Sequence, residues 1–172
     1  MNSLQASAEA ILADLVSFPS LSGTPNGDIV SYIKDYFENL SISVTLDSHE
    51  DGERFNLFAT IGPQVDGGIL LSGHTDVVPV SKGWATDPFD ATIKDDKLFG
   101  RGSCDMKGFI ACALAYAPIF SKSKLDRDIH FSFTFDEETA CQGAPILIEE
   151  LKKREIKDGI CIIGEPTNMK II

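Results

Sequence analysis

An α/β fold, with helices covering both faces of one sheet, is predicted by two features of this 172-residue sequence. Short apolar runs bounded by glycine or proline alternate with longer stretches of helical periodicity, the pattern of repeated strand–helix units. The composition supports a packed core: 43% of residues are hydrophobic and 24% charged, as in an ordinary globular domain. The length suits a single domain, and no internal repeat or low-complexity linker divides it.

The elements follow in chain order. Residues 7–17 and 27–40 read as helices. In the second, Ile29, Ile33, Phe37 and Leu40 recur at spacings of four and three and mark one apolar stripe, with Asn26 and Asp28 as cap and first-turn residues. Ile42 to Leu46 alternates apolar and polar, as a half-buried strand does, and Phe55 to Ile61 is a second strand closed by Gly62-Pro63. Ile69-Leu70-Leu71, set between Gly68 and Gly73, reads as a buried central strand. A helix is expected from Met106 to about Phe120, ending near Pro118. Ile129 to Phe135 is a strand, Ala144 to Arg154 a helix and Ile160 to Ile163 a further buried strand.

Charge excludes some functions. Lys plus Arg number 15 against 26 Asp plus Glu, a net charge of −11. Nucleic acids and anionic membranes require a positive footprint, so neither is an expected partner. The longest apolar run, Phe109 to Phe120, is well short of the ~20 residues of a membrane span. No Lys or Arg precedes Lys34, so the basic region of a signal peptide is lacking and the chain reads as cytoplasmic. Cys104, Cys112, Cys141 and Cys161 show no CxxC pairing and are expected to be buried, reduced thiols.

The chemistry lies in where the acidic and imidazole groups fall. His74 and Asp76 follow one strand, Asp105 precedes the apolar helix, Asp136-Glu137-Glu138 follow the next strand, and Glu165 follows the last. Ligands bind at the carboxyl ends of strands in open α/β sheets. One His and several carboxylates gathered there would leave a large uncompensated negative charge, which metal ions remedy. His with carboxylates suits zinc, cobalt or manganese, and the shortage of cysteine favours an open catalytic site over a closed structural one. Asp76 is placed to accept the other ring N–H of His74 and so to orient it. Each cluster has a plain alternative: an incidental His-x-Asp, a solvated acidic turn, a tight Gly-Arg-Gly turn, or packing and helix entry for Met106-Lys107-Gly108. Their joint occurrence at strand ends outweighs these.

Gly73-His74-Thr75-Asp76-Val77-Val78-Pro79, Gly100-Arg101-Gly102-Ser103-Cys104-Asp105-Met106-Lys107-Gly108, Asp136-Glu137-Glu138 and Gly164-Glu165-Pro166-Thr167 together resemble metallopeptidase family M20. The separations of 31 (74 to 105), 33 (105 to 138) and 27 (138 to 165) follow that family's order. The resemblance implies a three-layer, zinc-exopeptidase-like catalytic domain of mostly parallel strands, incomplete here. Residues 1–172 would be its amino-terminal part, with the dimerisation and lid domain and the rest of the catalytic domain absent. It implies two Zn2+, with Co2+ a substitute. His74, Asp105 and Glu165 match ligands of one ion, Asp105 bridges, and Glu138 matches a ligand of the second, whose histidine lies beyond residue 172. Asp76 matches the residue that orients His74, and Glu137 the general base that takes a proton from a metal-activated, hydroxide-like water. His49 and His130 match neither position and are expected to be structural or solvated. A small N-acyl amino acid is the implied substrate, and a homodimer the implied full-length form.

Within the family, Trp84-Ala85-Thr86-Asp87-Pro88-Phe89, Cys104-Asp105-Met106-Lys107-Gly108-Phe109 and Gly143-Ala144-Pro145 look more like the acetylornithine deacetylase branch than the desuccinylase. The expected activity is then hydrolysis of N-acetylornithine to ornithine and acetate, in arginine biosynthesis. A succinyl-diaminopimelate desuccinylase or an aminoacylase is the alternative within the family, and an inactive isolated fragment the alternative outside it.

Overall fold

The computed structural model describes residues 3–157, 159–168 and 170. Ile171 and Ile172, where the resemblance places the start of the inserted domain, lie outside the described residues. The elements are α1 (Ser3–Ser17), α2 (Gly27–Asn39), β1 (Val44–Ser48), β2 (Phe55–Ile61), β3 (Ile69–His74), β4 (Thr92–Lys94), β5 (Lys97–Phe99), α3 (Gly108–Phe120), β6 (Ile129–Thr134), α4 (Gly143–Lys153) and β7 (Ile160–Ile163).

Five strands form one sheet in the order β1-β2-β6-β3-β7. β6, β3 and β7 are mutually parallel, with Leu71 opposite both Phe131 and Ile162. β2 runs against β6 and β1 against β2, so four of the five strands point one way. The expected α/β sheet of mostly parallel strands is what forms.

Strand alternation sorts the two faces. Leu57, Ala59 and Ile61 of β2, with Phe131 and Phe133 of β6, meet α1, α2 and α3 in the main core, where Phe37 and Phe131 cross edge-to-face at 5.0 Å. Phe58 and Leu70 point to the opposite face and meet Leu147 of α4. His130 shares that face, stacked on Phe58 at 5.4 Å and bonded to Thr60 through Nδ1 at 2.8 Å, which bears out a structural role. Helices thus cover both faces, and among the described residues none is long and apolar enough to cross a membrane.

Several expectations need correction. α3 ends at Phe120 as expected, with Pro118 inside it, but starts at Gly108 rather than Met106. The missing proline N–H leaves the Leu114 carbonyl short of its helical donor, and the Tyr36 hydroxyl supplies one at 3.0 Å. β3 continues past Leu71 to His74. β7 is not buried: Ile160 is 58%, Ile162 44% and Ile163 63% exposed, because among the described residues β7 is an edge strand paired on one side only. The cysteines form no disulfide but all four are exposed, Cys112 on the outer side of α3, Cys161 on the sheet edge, Cys104 and Cys141 in turns. The β4–β5 hairpin was not anticipated. Its signal was Asp95-Asp96, both at positive φ (51° and 56°), between Thr92-Ile93-Lys94 and Lys97-Leu98-Phe99.

Candidate metal centre

β3 lies between β6 and β7, and the helices that follow β3 and β6 lie on opposite faces of the sheet. The crevice at the carboxyl ends of such strands is where an α/β sheet accepts a ligand. His74 closes β3 and is 1% exposed. Its Nδ1 donates to the Asp76 main-chain carbonyl at 2.9 Å, nearer than the Asp76 carboxylate at 3.3 Å. This tautomer turns Nε2 outward, 3.2 Å from Asp105 Oδ1, 3.7 Å from Glu165 Oε1 and 3.8 Å from Glu137 Oε2.

The Asp76 carboxylate serves mainly another purpose. It accepts the Ser22 hydroxyl at 2.7 Å and the backbone N–H groups of Glu137 and Glu138 at 3.0 and 3.2 Å. One buried carboxylate therefore holds the turn that presents both glutamates, 61 residues downstream of it at the nearer one.

Asp105 stands in the turn between β5 and α3, at non-helical φ −121°, ψ 97°. The residues after it anchor that turn. Met106 and Lys107 are both 0% exposed, and Lys107 Nζ reaches past the turn to donate to the carbonyls of Leu15 and Phe18 at 3.0 and 2.7 Å. Burial pulls the Lys107 amine down to about 7, against the opposing pull of Asp76. Gly102 lets the chain close over this lysine: at φ +78° a Cβ there would lie 2.4 Å from Val77 Cγ1 and 3.3 Å from Lys107 Cδ. The turn is more than a tight Gly-Arg-Gly bend. Glu165 is brought in similarly, because Gly164 lies flat against the Phe109 ring, where any Cβ would fall within 2.0 Å of a ring carbon.

Two sets of potential ligands result, His74 with Asp105 and Glu138, and His74 with Glu137 and Glu165. Within each, the donor atoms lie within 4.8 Å of one another. Glu137, expected as the base, is as near to His74 as Glu165 is, and Asp105, which forms a set with Glu138, also lies in hydrogen-bonding contact with Glu165. His49 and His130 belong to neither set among the described residues. A cavity of about 160 Å³, lined by Val78, residues 100–105 and Glu138, opens beside the cluster. A larger one of about 400 Å³, around Phe58, His130 and Arg154, includes none of these residues.

The electrostatics favour a cation. Burial opposes charge on His74, but the Asp76 carboxylate and carbonyl and the Glu165 charge outweigh it, and the imidazole pKa rises to about 9. Burial, then repulsion from Asp105, raises both Glu138 and Glu165. One imidazole facing four carboxylates, with its other nitrogen already pinned, is a donor set that fits divalent metal.

A model of peptidase family M20/M25/M40 matches residues 70–172. The chain belongs to that family. It is 37% identical over 164 residues to the acetylornithine deacetylase of Shigella sonnei strain Ss046, covering 91% of this chain and 42% of that protein. The M20 family metallo-carboxypeptidase Sso-CP2 of Sulfolobus solfataricus superposes with a TM-score of 0.79 at 24% identity, over 95% of this chain and 37% of the other. Human carnosine dipeptidase 1 gives 0.73 at 23%, over 95% and 41%. The chain thus spans less than half the length of these relatives, and the two structures share its fold.

The residues that sequence reading missed are the supports. Ser22, Lys107 and the main-chain carbonyl of Asp76 hold residues of the site without belonging to it. Lys107 and Asp76 stood in motifs, but nothing in their spacing told that the Lys107 amine is buried or that the Asp76 carbonyl holds His74.

Proposed function

We propose that residues 1–172 are the amino-terminal part of a two-metal catalytic domain, and that the full-length protein hydrolyses the amide of N-acetylornithine to ornithine and acetate. The observation that carries this reading is the convergence of His74, Asp105, Glu137, Glu138 and Glu165 at the ends of three parallel strands. The 37% identity to an acetylornithine deacetylase supports the substrate, and the exposed edge of β7 supports further strands beyond it.

His74, Asp105, Glu138 and Glu165 would hold the ions, zinc with cobalt as a substitute. When bound, such ions acidify water and polarise an amide carbonyl. Glu137 takes the proton from the attacking water and returns it to the nitrogen of the departing amine. Its backbone N–H is held by Asp76, so the side chain leaves the turn in a fixed direction while Glu138, one residue on, is free to act as ligand. The 38% exposure of the Glu137 side chain leaves room for substrate beside it. Asp76, through its carbonyl, keeps the His74 proton on Nδ1 and Nε2 available as a donor.

Glu137→Ala in the full-length protein is expected to abolish turnover of N-acetylornithine while leaving bound metal in place. Retained turnover refutes the role. Assaying N-acetylornithine beside succinyl-diaminopimelate and acyl amino acids decides the substrate. Hydrolysis by the isolated 172 residues, which are expected to be inactive, overturns that expectation.

A further inference from the structure

Arg54, at the foot of β2, is used by none of the roles above, yet its side chain is only 13% exposed. Nε donates to Asp51 Oδ2 at 2.7 Å, Nη2 stands 3.0 Å from His49 Nδ1, and the guanidinium lies 5.5 Å over the Phe135 ring. Nη1 donates to Asp136 Oδ2 in a close ion pair. Asp136 is 1% exposed, and its second oxygen accepts the Gly23 N–H at 2.7 Å. A carboxylate so deeply placed depends on its counter-charge.

Asp136 also opens the turn that carries Glu137 and Glu138. Its φ of 51° lies in the left-handed region, which a residue with a side chain occupies only when its surroundings hold it there. The turn is therefore clamped at two points: Asp76 binds the N–H groups of Glu137 and Glu138, and Arg54 binds the side chain of the residue before them. Without Arg54, the uncompensated Asp136 charge is driven toward water, and rotation of that residue out of the left-handed region redirects both glutamates.

We propose that Arg54 is a positioning residue for Glu137 and Glu138, acting through Asp136. This rests on the metal-site reading above. The competing role is purely local, with Arg54 clasping Asp51 and His49 to shape the β1–β2 connection.

Calorimetric titration of the metal-free full-length protein with Co2+, at a temperature where every variant is folded, separates the two. Wild type is expected to bind. Arg54→Gln is expected to bind about tenfold more weakly or worse, in the range for supports of metal ligands. Arg54→Lys, which keeps a charge for Asp136, is expected to recover most of that loss, and Asp51→Asn, which breaks only the local contact, to bind as wild type. If Arg54→Gln does not fold, Asp136→Asn carries the same expectation, as it removes the charge at nearly constant shape. Wild-type affinity in Arg54→Gln, or an equal loss in Asp51→Asn, overturns the role of Arg54. Failure of the wild type itself to bind overturns the metal-site reading, and this inference with it.

Discussion

Replacing Lys107 with methionine isolates what a buried amine contributes to this fold. Methionine keeps an unbranched stem of similar reach and removes Nζ, which donates to the carbonyls of Leu15 and Phe18 at the end of α1. Each carbonyl keeps a second donor, from Phe18 N and Ser20 N, so neither is orphaned. The loss is then the net value of two hydrogen bonds, about 1 kcal/mol each. Near neutral pH the amine, pulled down to about 7 by burial, is only partly charged, so no helix-dipole gain is added. The expected destabilisation is about 2 kcal/mol, seen as a fall in Tm of about 4–8 °C for a chain of this size. Lys107→Ala also removes three packed methylenes of the stem, at about 0.8 kcal/mol each, and is expected to cost about 4 kcal/mol in all. Urea denaturation of the three proteins is the assay. A methionine variant as stable as wild type, or an alanine variant no worse than methionine, refutes the reasoning.

Other expectations follow from single contacts. Gly102→Ala places a side chain at φ +78° and within 2.4 Å of Val77 Cγ1, so it is expected to cost about 1–3 kcal/mol, partly recovered by adding Val77→Ala; a double-mutant cycle by urea denaturation shows no recovery if the clash is unimportant. Asp76→Asn leaves one acceptor oxygen where Ser22 and the N–H groups of Glu137 and Glu138 need two, and calorimetry is expected to read a loss of metal affinity of about tenfold or more; unchanged affinity counts against the clamp. Tyr32 is raised well above its ordinary 10 by burial and by its bond to Asp14. The unfolded phenol therefore ionises first, so this contribution to stability is present below pH 10 and lost as pH rises beyond it. Tyr32→Phe is expected to flatten that loss between about pH 9 and pH 11, and an unchanged slope in urea denaturation would exclude the effect.

Local pattern made much of this protein legible. The stripe Ile29, Ile33, Phe37 marked α2, the run Phe55–Ile61 marked β2 to its ends, and the alternation of strand with helix foretold helices on both faces. The site residues were legible because an acidic or imidazole side chain just past a strand lies at the strand's carboxyl end whatever the fold does elsewhere. Exposure was less legible: Ile160, Ile162 and Ile163 have the composition of a buried strand, and only the absence of a second neighbour among the described residues makes β7 an edge.

Sequence alone, then, determined most of the elements, the order of the strand-end clusters and the kind of chemistry they could hold. Tertiary structure decided how those groups are held: Asp76 reaching Glu137 across 61 residues, Arg54 reaching Asp136 across 82, and Lys107 reaching back 92 to Leu15. Periodicity is a property of neighbours along the chain. Which buried charge meets which carbonyl or carboxylate depends on how the layers stack, and no local run of residues records it.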